Sequence, residues 1–228
     1  MASGPPRDSA AFEVRDALGA EGCVVCQLAL RSVGRLLQSI AYEQLTDVDL
    51  RAQLRSARGF CNTHAYRWLR ESRNILGTAV VYGDIIRSVL RELDSTPTGD
   101  GLLRRALRRP RAGARCAACE AQAEAEDRYL GALLESLSAD DATRQAFSVS
   151  HGLCRRHTFA ALRRGGEAAE LVVSHARELL ERLLQDLDEV VRKEDYRFRH
   201  EGRTDAERVA AARAVAWVTS SDGIVDVS

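Results

Sequence analysis

The chain has 228 residues, enough to bury one large core or two small ones. Its 33 basic and 33 acidic side chains cancel, so no global field draws it toward nucleic acid or an anionic membrane. The first ten residues lack a secretory leader's basic and apolar regions, and no apolar run nears the roughly 20 residues that a bilayer span requires. A cytoplasmic protein without a membrane partner is expected, in a compartment where thiols stay reduced.

Residues 1–11 read as a disordered N-terminus. Gly22 then leads into Cys23-x2-Cys26, and apolar positions Leu28, Leu30, Val33, Leu36, Leu37, Ile40 and Leu45 recur at helical spacing over about 24–45. Thr46-Asp47 suits the N-cap of a short helix reaching Ala57, which Gly59 ends. A third helix, 61–73, opens on Cys61-x2-His64. A fourth, 77–93, carries Val80, Val81, Ile85, Ile86, Val89, Leu90 and Leu93 on its expected buried side. Residues 94–100 are turn-rich, and an Arg-rich connector follows. The same order then returns, from Cys116-x2-Cys119 through Cys154-x2-His157 to a long helix over about 171–191. An Ala-rich segment, 205–218, suits one more helix, and the chain is expected to be loose after about Ser220. Period-two alternation is missing, so the expected fold is all-α.

The two motif sets differ by 93 at every position: 116−23, 119−26, 154−61 and 157−64. The same offset aligns Arg35 with Arg128, Gly59 with Gly152, Leu69 with Leu162, and Tyr66 with Phe159. A fixed period implies two copies of one supersecondary unit. The implied organisation is a first helical zinc repeat at 12–97, the Arg-rich connector at 98–112, a second zinc repeat at 113–194, and a partly helical C-terminal segment at 195–228.

Residues three apart in the first turn of a helix face the same way and can grip one ion. Three thiols and one imidazole are what tetrahedral Zn2+ takes in closed structural sites. Two Zn2+ per chain are therefore expected, on Cys23, Cys26, Cys61 and His64 and on Cys116, Cys119, Cys154 and His157, one set within each repeat. An intertwined fold would instead pair Cys23 and Cys26 with Cys154 and His157. Iron–sulfur ligation is the minority alternative. Complete Cys3His coordination leaves no open position, which favours a non-enzymatic interaction or scaffold protein with a protein partner. Two alternatives stand beside it. The C-x2-C spacing is also that of thiol redox centres, so a redox or redox-sensing zinc protein is one. Nucleic-acid binding through Arg104, Arg105, Arg108, Arg109, Arg111 and Arg115 is the other, less favoured because no aromatic stacking platform lies near these arginines. No serine triad, P-loop or dinucleotide fingerprint is present, so no catalytic residue is assigned.

The doubled motif resembles a family of bacterial proteins of unknown function that carry two copies of Cys-Pro-x-Cys followed by Gly-Phe-Cys-x-x-His. Here these are Cys23-Val-Val-Cys26 with Gly59-Phe-Cys-Asn-Thr-His64, and Cys116-Ala-Ala-Cys119 with Gly152-Leu-Cys-Arg-Arg-His157. Asn74-Ile-Leu-Gly-Thr-Ala79 and Lys193-Glu-Asp-Tyr-Arg-Phe198 are similar to further family elements, and the resemblance covers about 12–218. Both C-x2-C pairs lack the family's proline. The resemblance implies the metal-site architecture and no particular activity.

Overall fold

The computed structural model describes residues 7–94 and 115–225. Among them every regular element is helical. α1 (Arg7–Ala17) precedes α2 (Val24–Tyr42), α3 (Val48–Ser56), α4 (Asn62–Ser72) and α5 (Ile75–Asp94). α6 (Ala117–Ala139), α7 (Asp141–Ser148), α8 (Arg155–Arg164) and α9 (Glu167–Glu194) follow in the same order of lengths, long, short, short, long. A 3-10 turn, Arg199–Glu201, leads to α10 (Asp205–Thr219).

The local signals act as their chemistry requires. The Asp47 carboxylate accepts the Leu50 N–H at 2.8 Å and starts α3, while Asp140 accepts from Ala142 and Thr143 to start α7. α10 opens with a full capping box: Thr204 accepts from Glu207 N, and the Glu207 side chain accepts from Thr204 N. α1 corrects the expected disordered N-terminus from residue 7 onward. Ala10, Val14, Ala17 and Leu18 fall on one face and are almost fully buried, which gives the helix its anchor.

The chain packs as two compact units that are not the two sequential repeats. One holds the chain up to Ala29 together with Ala125–Ile224; its core includes Val14, Val25, Leu28, Tyr129, Leu133, Leu137, Phe147 and Leu153. The other holds Leu30–Glu124 and the last residues from Val225; its core includes Val33, Leu37, Ile40, Leu54, Trp68, Val81 and Ile85. α2 and α6 each contribute residues to both units. Each unit therefore draws on both halves of the sequence.

Within the second unit, the stretch from Asn74 to Ala79 explains itself. Asn74 Oδ1 accepts the Gly77 N–H at 2.8 Å, and its Nδ2 donates to the Ala41 carbonyl of α2 at 2.7 Å. A Cβ on Gly77 would stand 3.2 Å from that carbonyl. Thr78 takes the Trp68 indole N–H at 2.9 Å. One face of α5 departs from expectation: Ile86, Leu90 and Leu93 are more than half exposed, and the buried positions are Gly77, Val81 and Ile85. Leu179 and Leu183 of α9, at the corresponding register, are half-covered, and α9 has α10 packed on it. Residues 221–225 are also held, since Val225 and Gln122 exchange two hydrogen bonds of 2.8 and 3.1 Å.

Candidate metal centres

All four ligand pairs sit at helix starts built to one plan. The carbonyl of the first ligand accepts the first helical bond, from Gln27 to Cys23, Ala65 to Cys61, Glu120 to Cys116 and Thr158 to Cys154, at 2.8–3.1 Å. Each first ligand thus occupies the N-cap and each second ligand the third helical position. These are the two places where a short side chain and a first-turn side chain converge beyond the helix end. Before Cys154, close approach enforces glycine. Gly152 has φ +66°, and a Cβ there would lie 2.9 Å from Leu179 Cδ1.

The pairs meet across the repeats. Cys23 and Cys26 converge with Cys154 and His157, and Cys61 and His64 converge with Cys116 and Cys119. This corrects the within-repeat pairing. Both arrangements give three thiols and one imidazole, so ligand chemistry does not choose between them; the packing inside each unit does, since each quartet lies wholly within one unit.

In the first quartet the His157 Nδ1 lies 3.3, 3.4 and 3.2 Å from the sulfurs of Cys23, Cys26 and Cys154, and Cys26 Sγ lies 3.7 Å from Cys154 Sγ. In the second, His64 Nδ1 lies 3.3, 3.7 and 3.4 Å from Cys61, Cys116 and Cys119, with 3.6 Å between Cys119 and Cys61 sulfurs. A tetrahedral ion at ordinary zinc bond lengths sets sulfur–sulfur edges of about 3.8 Å and sulfur–nitrogen edges of about 3.6 Å. Both quartets match within a few tenths of an ångström. The Cys26–Cys154 and Cys61–Cys119 sulfur separations are far beyond a disulfide bond of about 2.05 Å. These residues fit a metal ion.

Burial and mutual contact shift the ionisation of the clustered groups in both directions. Burial pushes the Cys23 thiol well above its ordinary value, and its thiol neighbours Cys154 and Cys26 add to this. Hydrogen bonds from Cys23 and Cys26 hold Cys154 far below the ordinary thiol range. His157 is pushed up to about 11: burial opposes its charge, but the contacts with Cys154, Cys26 and Glu126 outweigh that. In the other quartet burial raises Cys119, with the nearby Cys116 sulfur adding to it. Burial also opposes ionisation of Cys116, yet hydrogen bonds from His64 and from the Cys61 and Cys119 backbone bring it below its usual value. Cation binding would displace the remaining protons.

Neighbouring residues differ between the centres, and several were not singled out from the sequence. Glu126 Oε2 stands 3.7 Å from His157 Nε2, an ion-pair contact longer than a hydrogen bond, and takes a 2.7 Å bond from Arg156. Ser220 Oγ lies 3.3 Å from Cys154 Sγ, and that serine has φ +74°. The Nε2 atoms of His157 and His64 are both buried without a hydrogen-bond partner, as is the Tyr82 hydroxyl at the second centre, whose pKa is raised by burial and by the Cys116 and Cys61 sulfurs. The signal for Glu126 was its place seven residues after Cys119, two helical turns along α6. Nothing local marks Ser220, which is distant in sequence from the ligands.

Of the six candidate nucleic-acid arginines, Arg104, Arg105, Arg108, Arg109 and Arg111 lie outside the described residues, and Arg115 is exposed. Arg156 is engaged with Glu126. His175, unassigned from the sequence, is a core residue meeting the Ser150 carbonyl at 3.2 Å. No helix among the described residues is long and apolar enough to cross a membrane.

A family model described as a family of unknown function (DUF6062) matches residues 9–223. The chain belongs to this family. Its match covers both units and all eight candidate ligands. The chain is also 28% identical over 208 residues to an uncharacterized 23.9 kDa protein in xynA 3'region from Caldicellulosiruptor sp. (strain Rt8B.4), which covers 87% of this chain and 95% of the relative. No solved structure matches.

Proposed function

We propose that this family member is a non-enzymatic helical scaffold stabilised by two Zn2+ ions, each bound by three cysteines and one histidine. The observation that carries this reading is closure: each quartet already has the four ligands and the edge lengths of a tetrahedral ion, so no position is left for substrate. All ligand atoms of a quartet lie within 4.8 Å of one another, a span suited to one ion and not to a multi-iron cluster. The three cysteines and one histidine give a zinc complex of net charge −1, placed at the positive ends of two helices.

The exposed face of α5 supports a protein partner. Ile75, Leu76, Ile86, Leu90 and Leu93 are each more than half exposed on this one helix, an apolar surface suited to helix packing. Metal analysis on protein purified without added zinc tests the reading: two zinc ions per chain are expected, and their removal by a strong chelator should abolish most of the helical circular dichroism. Protein free of metal, with all six thiols titrating and helicity intact, would refute it.

A further inference from the structure

The two centres share a ligand set but not a setting. Cys23, Cys26, Cys154 and His157 are all buried, none more than 6% exposed. Cys61 and Cys116 are only partly covered, while His64 and Cys119 are buried. One centre therefore has two cysteines partly open to solvent, and the other has none.

The surroundings reinforce the contrast. A ligating imidazole is commonly held by a carboxylate on its remote nitrogen, and loss of that contact weakens metal binding. His157 has Glu126 in that place, fixed by Arg156 at 2.7 Å. The register of 93 puts Val33 where Glu126 stands, since 126−93 is 33; both remote nitrogens lack a hydrogen-bond partner, and the contrast is the carboxylate 3.7 Å from His157 Nε2. The Ser220 hydroxyl also touches Cys154 Sγ at 3.3 Å, and its backbone, at φ +74° and ψ 178°, is held in a region that residues other than glycine rarely adopt. A strained residue kept against one sulfur is a local arrangement that packing alone does not require.

We propose that the two centres have different tasks: the buried one is a permanent structural ion, and the half-exposed one, Cys61, His64, Cys116 and Cys119, exchanges its ion with external thiol or carboxylate chelators. This rests on the metal-binding reading above and adds a metal-exchange site to it. In the exchange, an incoming chelator replaces the partly covered Cys61 and Cys116 sulfurs one after the other, and then the Cys119 sulfur and the His64 nitrogen. Each released thiolate takes a proton from water, the imidazole is released neutral, and the ion leaves as the chelator complex. No oxidation is involved. Glu126 is a positioning residue, acting through His157 to slow loss from the buried centre.

The test uses the full-length, two-zinc protein with a colorimetric zinc chelator in excess, alongside N-ethylmaleimide labelling read by peptide mass mapping. Zinc should leave in two phases of one ion each, with Cys61, Cys116 and Cys119 labelled in the first while Cys23, Cys26 and Cys154 stay protected. Glu126→Gln should speed the slow phase about 10–100-fold and leave the fast phase where it was. One phase for both ions, or labelling of Cys23, Cys26 and Cys154 first, would overturn the proposal while leaving the metal reading intact. Acceleration of both phases by Glu126→Gln would overturn the role of that carboxylate. Protein purified with no metal would overturn both readings together.

Discussion

At the scale of single residues, the positions that matter most are those where chemistry leaves one choice. Gly152 is such a position: its φ is +66°, and Leu179 Cδ1 and His175 Cδ2 stand 2.9 and 3.1 Å from where a Cβ would go. Gly152→Ala should destabilise the protein by about 1–3 kcal/mol in a denaturant titration, through left-handed strain and crowding together. Gly165 is a useful control, since its φ is +71° but nothing lies within 4 Å of its Cβ site; Gly165→Ala should show only the smaller, strain-related loss. Asp84 of α5 sets a pH dependence. Its pKa is lowered mainly by the 2.6 Å hydrogen bond from Arg55, with Arg51 at 3.1 Å assisting against burial. A carboxyl with a lowered folded-state pKa binds fewer protons folded than unfolded, so its stabilisation is complete above the unfolded value of about 3.9. That stabilisation is lost as pH falls through the folded value. Asp84→Asn should therefore lower stability at pH 7, and its gap to the parent protein should shrink toward pH 2, as urea titrations across that range would show.

At the scale of elements, helix starts govern the architecture. Thr204→Ala removes one half of the α10 capping box and should cost about 1 kcal/mol. The effect should be local, loosening α10 and its buried Lys193–Glu207 pair, 2.8 Å long, as read by faster amide exchange in α10. By contrast, Leu90→Gln on the exposed face of α5 should change the stability of the protein alone by no more than about 0.5 kcal/mol. The same contrast marks what was legible in the sequence. Helix positions were readable because apolar spacing, Asp47 and the glycines are local signals. α1 was missed although Ala10, Val14, Ala17 and Leu18 have helical spacing, because the segment is short and its buried face is mostly small. The outer face of α5 was misread because its apolar pattern matches that of α9, and only the latter carries α10. The i, i+3 ligand pairs were readable for the same local reason as the helices. Which pair meets which was not, because Cys23 and Cys26 find equally suitable partners in Cys61 and His64 or in Cys154 and His157. Glu126 and Ser220 belong to that same tertiary level.

At the scale of the whole molecule, each centre joins one pair from the first half of the sequence to one pair from the second. Cys26 and Cys154 are 128 residues apart, while Cys26 and Cys61 are 35 apart, as 61−26 shows. On loop-closure entropy alone the shorter connection is favoured by about 1 kcal/mol. A chain emerging from the ribosome exposes Cys23, Cys26, Cys61 and His64 long before Cys154 and His157 exist. The native arrangement is then the second choice in time, although it is the one the folded cores select. On the zinc reading proposed above, the ion is consequently a kinetic trap as well as a support: bound early, it would close the nearer, non-native set and have to be surrendered before the cores could form. Denatured protein refolded with zinc present from the start should regain its helicity more slowly than protein refolded under reducing conditions with zinc added last, and a weak zinc buffer should erase the difference. Equal rates under both regimes would show that the cores close before the metal does.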